Sequence, residues 1–141
     1  MTDEAAEPSD ADLDELVREA NRGREGSYAP YSNFHVGAAV LTDAGVFRGA
    51  NMENASYGAA ICAERVAATT AVVNGGRRIR AVAVTSSSPV PTPPCGICRQ
   101  VLYEFNPDMV VVSEGGNGER RRWKLSDLLV DGFGPKDLIV S

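Results

Sequence analysis

Leu13, Leu16, Val17 and Ala20 recur at the three- and four-residue spacing of one helical face, with charged residues between them. This predicts a first amphipathic helix over about Asp12 to Arg24. Past the turn signal Ala29-Pro30-Tyr31-Ser32 the pattern shortens. FHVGAAVLT and VFRGANM are compact apolar runs joined by Asp43-Ala44-Gly45, which reads as a β-hairpin. After the loop ENASYG, AAICAERVAATTAVV is a helical stretch closed by Asn74-Gly75-Gly76. IRAVAVTSS then reads as a strand, SPVPTPP as a stiff loop, and CGICRQVLYEF as a helix with the cysteines at its start. DMVVVSEGG and RRRWKL supply two more strands, and LSDLLVDGFGPKDL a short helix and a tail. The order α-β-β-α-β-α-β-β-α implies a layered α/β domain on one mixed sheet.

Composition narrows the class. A chain of 141 residues, 43% hydrophobic, builds one domain with its own core. Residues 1–11 are acidic and Pro-bearing and are expected to be a disordered tail, with 12–141 as the single folded domain. The net charge of −5 and pI of about 4.9 argue against a general phosphate-backbone binder, so no nucleic-acid partner is expected. The run Arg120-Arg121-Arg122 is read as a solvated strand or turn, and Trp123 as packing. No apolar run reaches membrane-spanning length, and MTDEAAEPSDAD lacks the basic and apolar segments of a signal peptide. A cytoplasmic protein without membrane contact is expected.

The cysteines change the picture. There are three, Cys62, Cys95 and Cys98, an odd count that does not suit a disulfide framework. Cys95 and Cys98 form a C-x-x-C at a helix start, and Cys62 sits near the start of another helix. Three thiolates are the ligand count of a catalytic zinc, which leaves its fourth position to water. Glu64, close to Cys62, is placed to move protons at that open position. Arg65 and Arg99, each next to a site residue, are candidates to offset the thiolate charge through hydrogen bonds to sulfur. Each feature alone has a plainer meaning. A lone C-x-x-C also serves redox or structural zinc sites, Cys62 alone reads as a core thiol, and Glu64 alone as a solvated helix residue. A structural site wants a fourth ligand. The single histidine, His35, lies in FHVGAAV and reads as an exposed strand residue.

Taken together, Cys62-Ala63-Glu64 and Pro94-Cys95-Gly96-Ile97-Cys98 resemble the C/H-x-E plus P-C-x-x-C pattern of the zinc-dependent nucleoside and nucleobase deaminases. YSNFHVGAAV, GANMENASYG, ICAERVA, PCGICRQVL and the C-terminal LLVDGFGPKDL further resemble cytidine deaminase in its small form, from about Tyr28 to Leu138. The resemblance implies a three-layer α/β/α fold with a five-stranded mixed sheet. It implies one Zn2+ per chain on Cys62, Cys95 and Cys98, with Glu64 as proton shuttle and Arg65 offsetting thiolate charge. Asn51 and Glu53 match the pair that binds the ribose hydroxyls, and Phe34 an aromatic of the pocket wall. Ala63 and Pro93 match backbone positions that hold the base, and Phe133 an aromatic that stacks on it from a neighbouring subunit of a homotetramer. Three residues depart from the family pattern: Pro93 replaces Ser or Thr, His35 a common proline, and Val130 another proline, which bears on how Phe133 is presented.

The implied activity is hydrolytic deamination of cytidine and deoxycytidine to uridine and deoxyuridine plus ammonia, as in pyrimidine salvage. The rival readings are a deaminase of a related substrate such as blasticidin S, and a non-catalytic zinc-binding protein. The Asn51 and Glu53 segment favours a free nucleoside.

Overall fold

The computed structural model describes residues 7–138. Its first helix, α1 (Asp10–Arg24), starts earlier than its apolar periodicity because Ser9 caps it. The Asp12 N–H donates to the Ser9 hydroxyl at 3.1 Å, and the Ser9 N–H donates to the Asp12 carboxylate at 2.9 Å. Part of the segment expected to be a disordered tail over 1–11 is therefore helical. Residues 9–11 belong to the helix and its cap, while 1–6 lie outside the described residues.

The hairpin forms as expected, with β1 (Val36–Thr42) antiparallel to β2 (Gly45–Ala50) and Thr42 opposite Gly45. Gly45 takes φ +115°, a backbone region that a side chain disfavours. β3 (Ile79–Ser86) pairs antiparallel with β1 and parallel with β4 (Val110–Glu114), and β4 pairs antiparallel with β5 (Arg120–Lys124). The result is a five-stranded mixed sheet in the order β2-β1-β3-β4-β5.

Strand alternation divides the core into two. Ala39, Leu41, Ala81, Ala83, Val110 and Val112 face Leu13, Leu16, Val17 and Ala20 of α1. Ala38, Val40, Val82, Val84 and Val111 face the other way, onto Ala67 and Ala71 of α2 (Ala63–Val73) and Leu102 of α3 (Gly96–Phe105). Helices on both faces make a three-layer α/β/α domain, and the central strand β3 is buried along its whole length.

Two expected boundaries move. The helical stretch begins at Ala63, not at Ala59, because Met52 and Ile61 exchange backbone hydrogen bonds at 2.9 Å each and hold the chain extended up to Cys62. The C-terminal region holds two short helices, α4 (Leu125–Leu128) and α5 (Pro135–Leu138), where one was expected.

The basic run lies on the edge strand β5, as a solvated strand should. Arg120 bridges Asp14 at 2.6 Å and Glu114 at 3.0 Å, and Arg121 lies over the Trp123 ring at 4.8 Å. Charged side chains on an edge oppose pairing with another chain. Trp123 is half-buried against the core, which is the packing role expected of it.

Candidate active site

The extended bridge at Ile61 makes Cys62 the N-cap of α2, and Cys95 is the N-cap of α3. Neither sulfur is spent on capping its own helix. Cys98, one turn into α3, is fully buried. The Sγ atoms of Cys62 and Cys95 are 3.7 Å apart, and those of Cys95 and Cys98 are 3.5 Å apart. Three ligands on a tetrahedron with Zn–S bonds of about 2.3 Å would sit about 3.8 Å from one another. The two separations from Cys95 therefore fit a zinc tetrahedron, and all three sulfurs lie within 4.8 Å of one another.

The electrostatics agree with that donor set. The Cys62 thiol is drawn down to about 5, first by the hydrogen bond it shares with Cys98 and then by Arg65. Cys98 is pushed up, because it keeps the shared proton and is buried. Arg65 Nη2 lies 3.7 Å from Cys62 Sγ, the contact expected of a charge-balancing arginine. Metal binding would displace the remaining protons. Arg99 does something else. Its Nε donates to the Pro94 carbonyl at 2.7 Å and its Nη1 to the Leu128 carbonyl at 2.9 Å. The expectation that Arg99 bonds thiolate is corrected: its planar fork satisfies the carbonyls ahead of α3 and at the end of α4, and so pins the Cys95 turn to the C-terminal segment.

Glu64, in the first turn of α2, is only 4% exposed. Burial pushes its carboxyl up to about 7, and the neighbouring Cys62 thiolate adds to the rise. A carboxyl poised near neutrality can both take and give a proton.

A cavity of about 480 Å³ opens above these groups. Cys62, Ala63, Glu64, Cys95 and Pro93 line its floor side, and Phe34, Asn51 and Glu53 line it from the hairpin side. Ala63 is the first residue of α2, so its N–H has no acceptor within the helix. Glu53 accepts from the Tyr31 and Ser32 N–H groups at 3.0 and 3.1 Å and from the Ser32 hydroxyl, which holds its carboxylate below the ordinary value. Ser113 of β4 fixes the other rim, accepting from the Thr92 N–H at 3.0 Å and donating to the Thr92 carbonyl at 2.8 Å.

The cavity also includes Met52, Tyr57, Ile61, Thr92 and Ile97, which the sequence did not single out. Their exposed aromatic and aliphatic character among polar loops was the available signal for Tyr57, Ile61 and Ile97. Phe133 is not brought to this cavity. It is 56% exposed, and its carbonyl accepts from Gln100 Nε2 at 2.8 Å. Its flanking Gly132 and Gly134 pack on the Tyr103 ring, so the segment is held despite Val130. His35, expected to be exposed, is half-buried with both ring nitrogens in hydrogen bonds.

A larger depression of about 800 Å³ lies at the N-terminal ends of β3 and β4, beside Arg80 and Trp123. It holds no cysteine, and Lys124 there is paired with Asp108 at 3.2 Å. In α/β sheets of this kind ligands collect past the C-terminal ends of parallel strands, which is where the cysteine cavity lies.

The model of the cytidine and deoxycytidylate deaminase zinc-binding region matches residues 11–114. The chain belongs to this deaminase family. It is 46% identical over 125 residues to the cytidine deaminase of Halalkalibacterium halodurans, covering 87% of this chain and 95% of that one. Among solved structures, the cytidine deaminase of Burkholderia pseudomallei superposes with a TM-score of 0.81 at 46% identity, over 85% of this chain and 98% of that one. The Mycobacterium tuberculosis cytidine deaminase gives a TM-score of 0.75 at 38% identity, over 89% and 99%. The deaminase fold expected from the motifs is thus the observed one. Among the described residues no helix is long and apolar enough to cross a membrane.

Proposed function

We propose that this deaminase converts cytidine and deoxycytidine to uridine and deoxyuridine with release of ammonia, in pyrimidine salvage. One observation carries the reading: the buried Glu64 carboxyl lines the same cavity as Cys62 and Cys95, two members of a three-sulfur cluster completed by Cys98. Cys62, Cys95 and Cys98 would hold a zinc ion, which would supply a Lewis acid able to bring the acidity of a water close to neutral pH. Glu64 takes a proton from the attacking water as the water oxygen bonds to C4 of the base, and passes that proton to N3. As the C4–N bond breaks, Glu64 carries the remaining hydroxyl proton to the departing amine, which leaves as ammonia. Arg65 offsets the thiolate charge that would otherwise weaken the metal's pull.

Asn51 and Glu53 take the ribose hydroxyls, Phe34 forms the apolar wall, and the backbone at Ala63 and Pro93 meets the polar edge of the base. Phe133, exposed and outside its own chain's cavity, stacks on the base of a neighbouring subunit in a homotetramer. Thiolate ligands suit the reducing cytoplasm as the working compartment.

The test is direct. Zinc content is measured on the purified protein, and ammonia release is followed from cytidine, deoxycytidine and blasticidin S in parallel. About one zinc per chain and turnover of both nucleosides are expected. Activity on blasticidin S alone would overturn the substrate, and zinc without ammonia from any of the three would return the chain to a non-catalytic role. The relatives named as cytidine deaminases do not favour either rival.

A further inference from the structure

The segment that brings Phe34 to the cavity is held by hydrogen bonds that lead back to His35. Asn51 Nδ2 donates to the Phe34 carbonyl at 2.8 Å, and Asn51 Oδ1 accepts from the Val36 N–H at 2.9 Å. A backbone acceptor and a backbone donor thus fix which way round the amide lies. Reversed, it would set nitrogen against an N–H and oxygen against a carbonyl. Ser27 also meets Oδ1. An amide oxygen only accepts, so the single hydroxyl proton of Ser27 is committed to Asn51. Ser27 Oγ then has only lone pairs to offer the His35 ring, whose Nδ1 lies 2.9 Å away. Nδ1 must carry a proton.

We propose that His35 is a positioning residue for the nucleoside site: its Nδ1–H holds Ser27, and Ser27 holds the Asn51 amide with its second Nδ2 hydrogen left for a sugar hydroxyl. This rests on the reading of Asn51 as a ribose contact. The other ring nitrogen, Nε2, meets Oδ1 of the exposed Asn33 amide at 3.1 Å, the edge that accepts from an Nε2–H. That amide can turn either edge to the ring, accepting from an Nε2–H or donating to a bare Nε2. Gain or loss of the Nε2 proton therefore reorients Asn33 and leaves the Ser27–Asn51 link intact. The neutral ring is held as the Nδ1–H tautomer, the reverse of what a solvated imidazole favours.

His35 is the only histidine of the chain, so a nitrogen-15 histidine spectrum of the zinc-loaded protein reads it alone. For the neutral ring the spectrum should give a pyrrole-like Nδ1 and a pyridine-like Nε2, and the opposite pattern overturns the proposal. His35→Asn places an amide donor near the Nδ1 position and should keep KM for cytidine within about twofold. His35→Ala, and His35→Gln with its donor near the Nε2 position, should each raise KM about fivefold with kcat little changed, the scale of one lost hydrogen bond. In an Asn51→Ala background His35→Ala should add nothing further, since the two act through one contact. An unchanged KM in His35→Ala, or losses that simply add, would also overturn it. If Asn51→Ala leaves KM unchanged, the ribose reading of Asn51 falls by itself, and the tautomer still decides the relay.

Discussion

Glu64 and Glu53 are both carboxylates beside one cavity, yet their surroundings push them in opposite directions. Burial raises Glu64, while the Ser32 hydroxyl, followed by the Ser32 and Tyr31 N–H groups, lowers Glu53. The first is equipped to exchange a proton and the second to keep its charge. Glu64→Gln preserves shape and leaves the three sulfurs in place but cannot take a proton, so kcat should fall at least about a thousandfold, within the range of a lost general acid–base group. Zinc per chain should be unchanged; near-normal turnover in the zinc-loaded variant would remove Glu64 from the chemistry. Glu53 makes a pH prediction whose sign follows from its lowered value. Its charge contributes stability above the ordinary 4.5, and that contribution is lost as pH falls through the lower folded value. Thermal midpoints of wild type and Glu53→Gln should therefore differ at neutral pH and converge in acid. A gap that persists unchanged into acid would mean the charge is not its source.

At the level of elements, the site depends on how closely α2 lies on the hairpin. A Cβ on Gly49 of β2 would overlap the Ala63 carbonyl and the Ala67 amide, so only glycine lets the first turn of α2, with Cys62 and Glu64 at its start, seat against the sheet. Gly49→Ala should destabilise by about 1–3 kcal/mol, as overpacking against a rigid neighbour does. Measured as a thermal midpoint that is about 2–4 °C for each kcal/mol, and zinc should bind more weakly as the Cys62 turn shifts. A variant with normal midpoint and normal zinc affinity would show that the turn adapts freely. Most elements were legible in the sequence because their cause is local: the periodicity of Leu13 to Ala20, the Asp43-Ala44-Gly45 turn, the Asn74-Gly75-Gly76 stop. The clustering of Cys62, Cys95 and Cys98 was legible from residue type and spacing. What escaped depends on long-range placement. Ile61 is extended because Met52 meets it, Arg99 turns to Pro94 and Leu128, and His35 reaches Asn51 through Ser27. None of those partners is visible from the residue itself.

For the whole molecule, the exposed Phe133 bears on whether an active site is built from one chain or from two. Within one chain, Phe133 stands exposed on a segment fastened to α3 by Gln100 and by the packing of Gly132 and Gly134 on Tyr103. Ordering an aromatic side chain while leaving it in water gains little, unless another surface covers it. If that surface is the cavity of a neighbouring subunit, each site combines Glu64 of one chain with Phe133 of another, and two defects can complement each other. Phe133→Ala chains keep Glu64 but lack the aromatic they should lend, and Glu64→Gln chains lend an intact Phe133 but cannot move the proton. Each variant alone should be poorly active. Co-expressed, they should form mixed assemblies in which some sites pair a working Glu64 with a working Phe133, so activity per Glu64-bearing chain rises above that of Phe133→Ala alone. Separately purified variants, mixed at low concentration just before assay, serve as the reference. Equal activity in the two preparations, with mixed assemblies confirmed by mass, would confine each active site to one chain and leave Phe133 to some other contact.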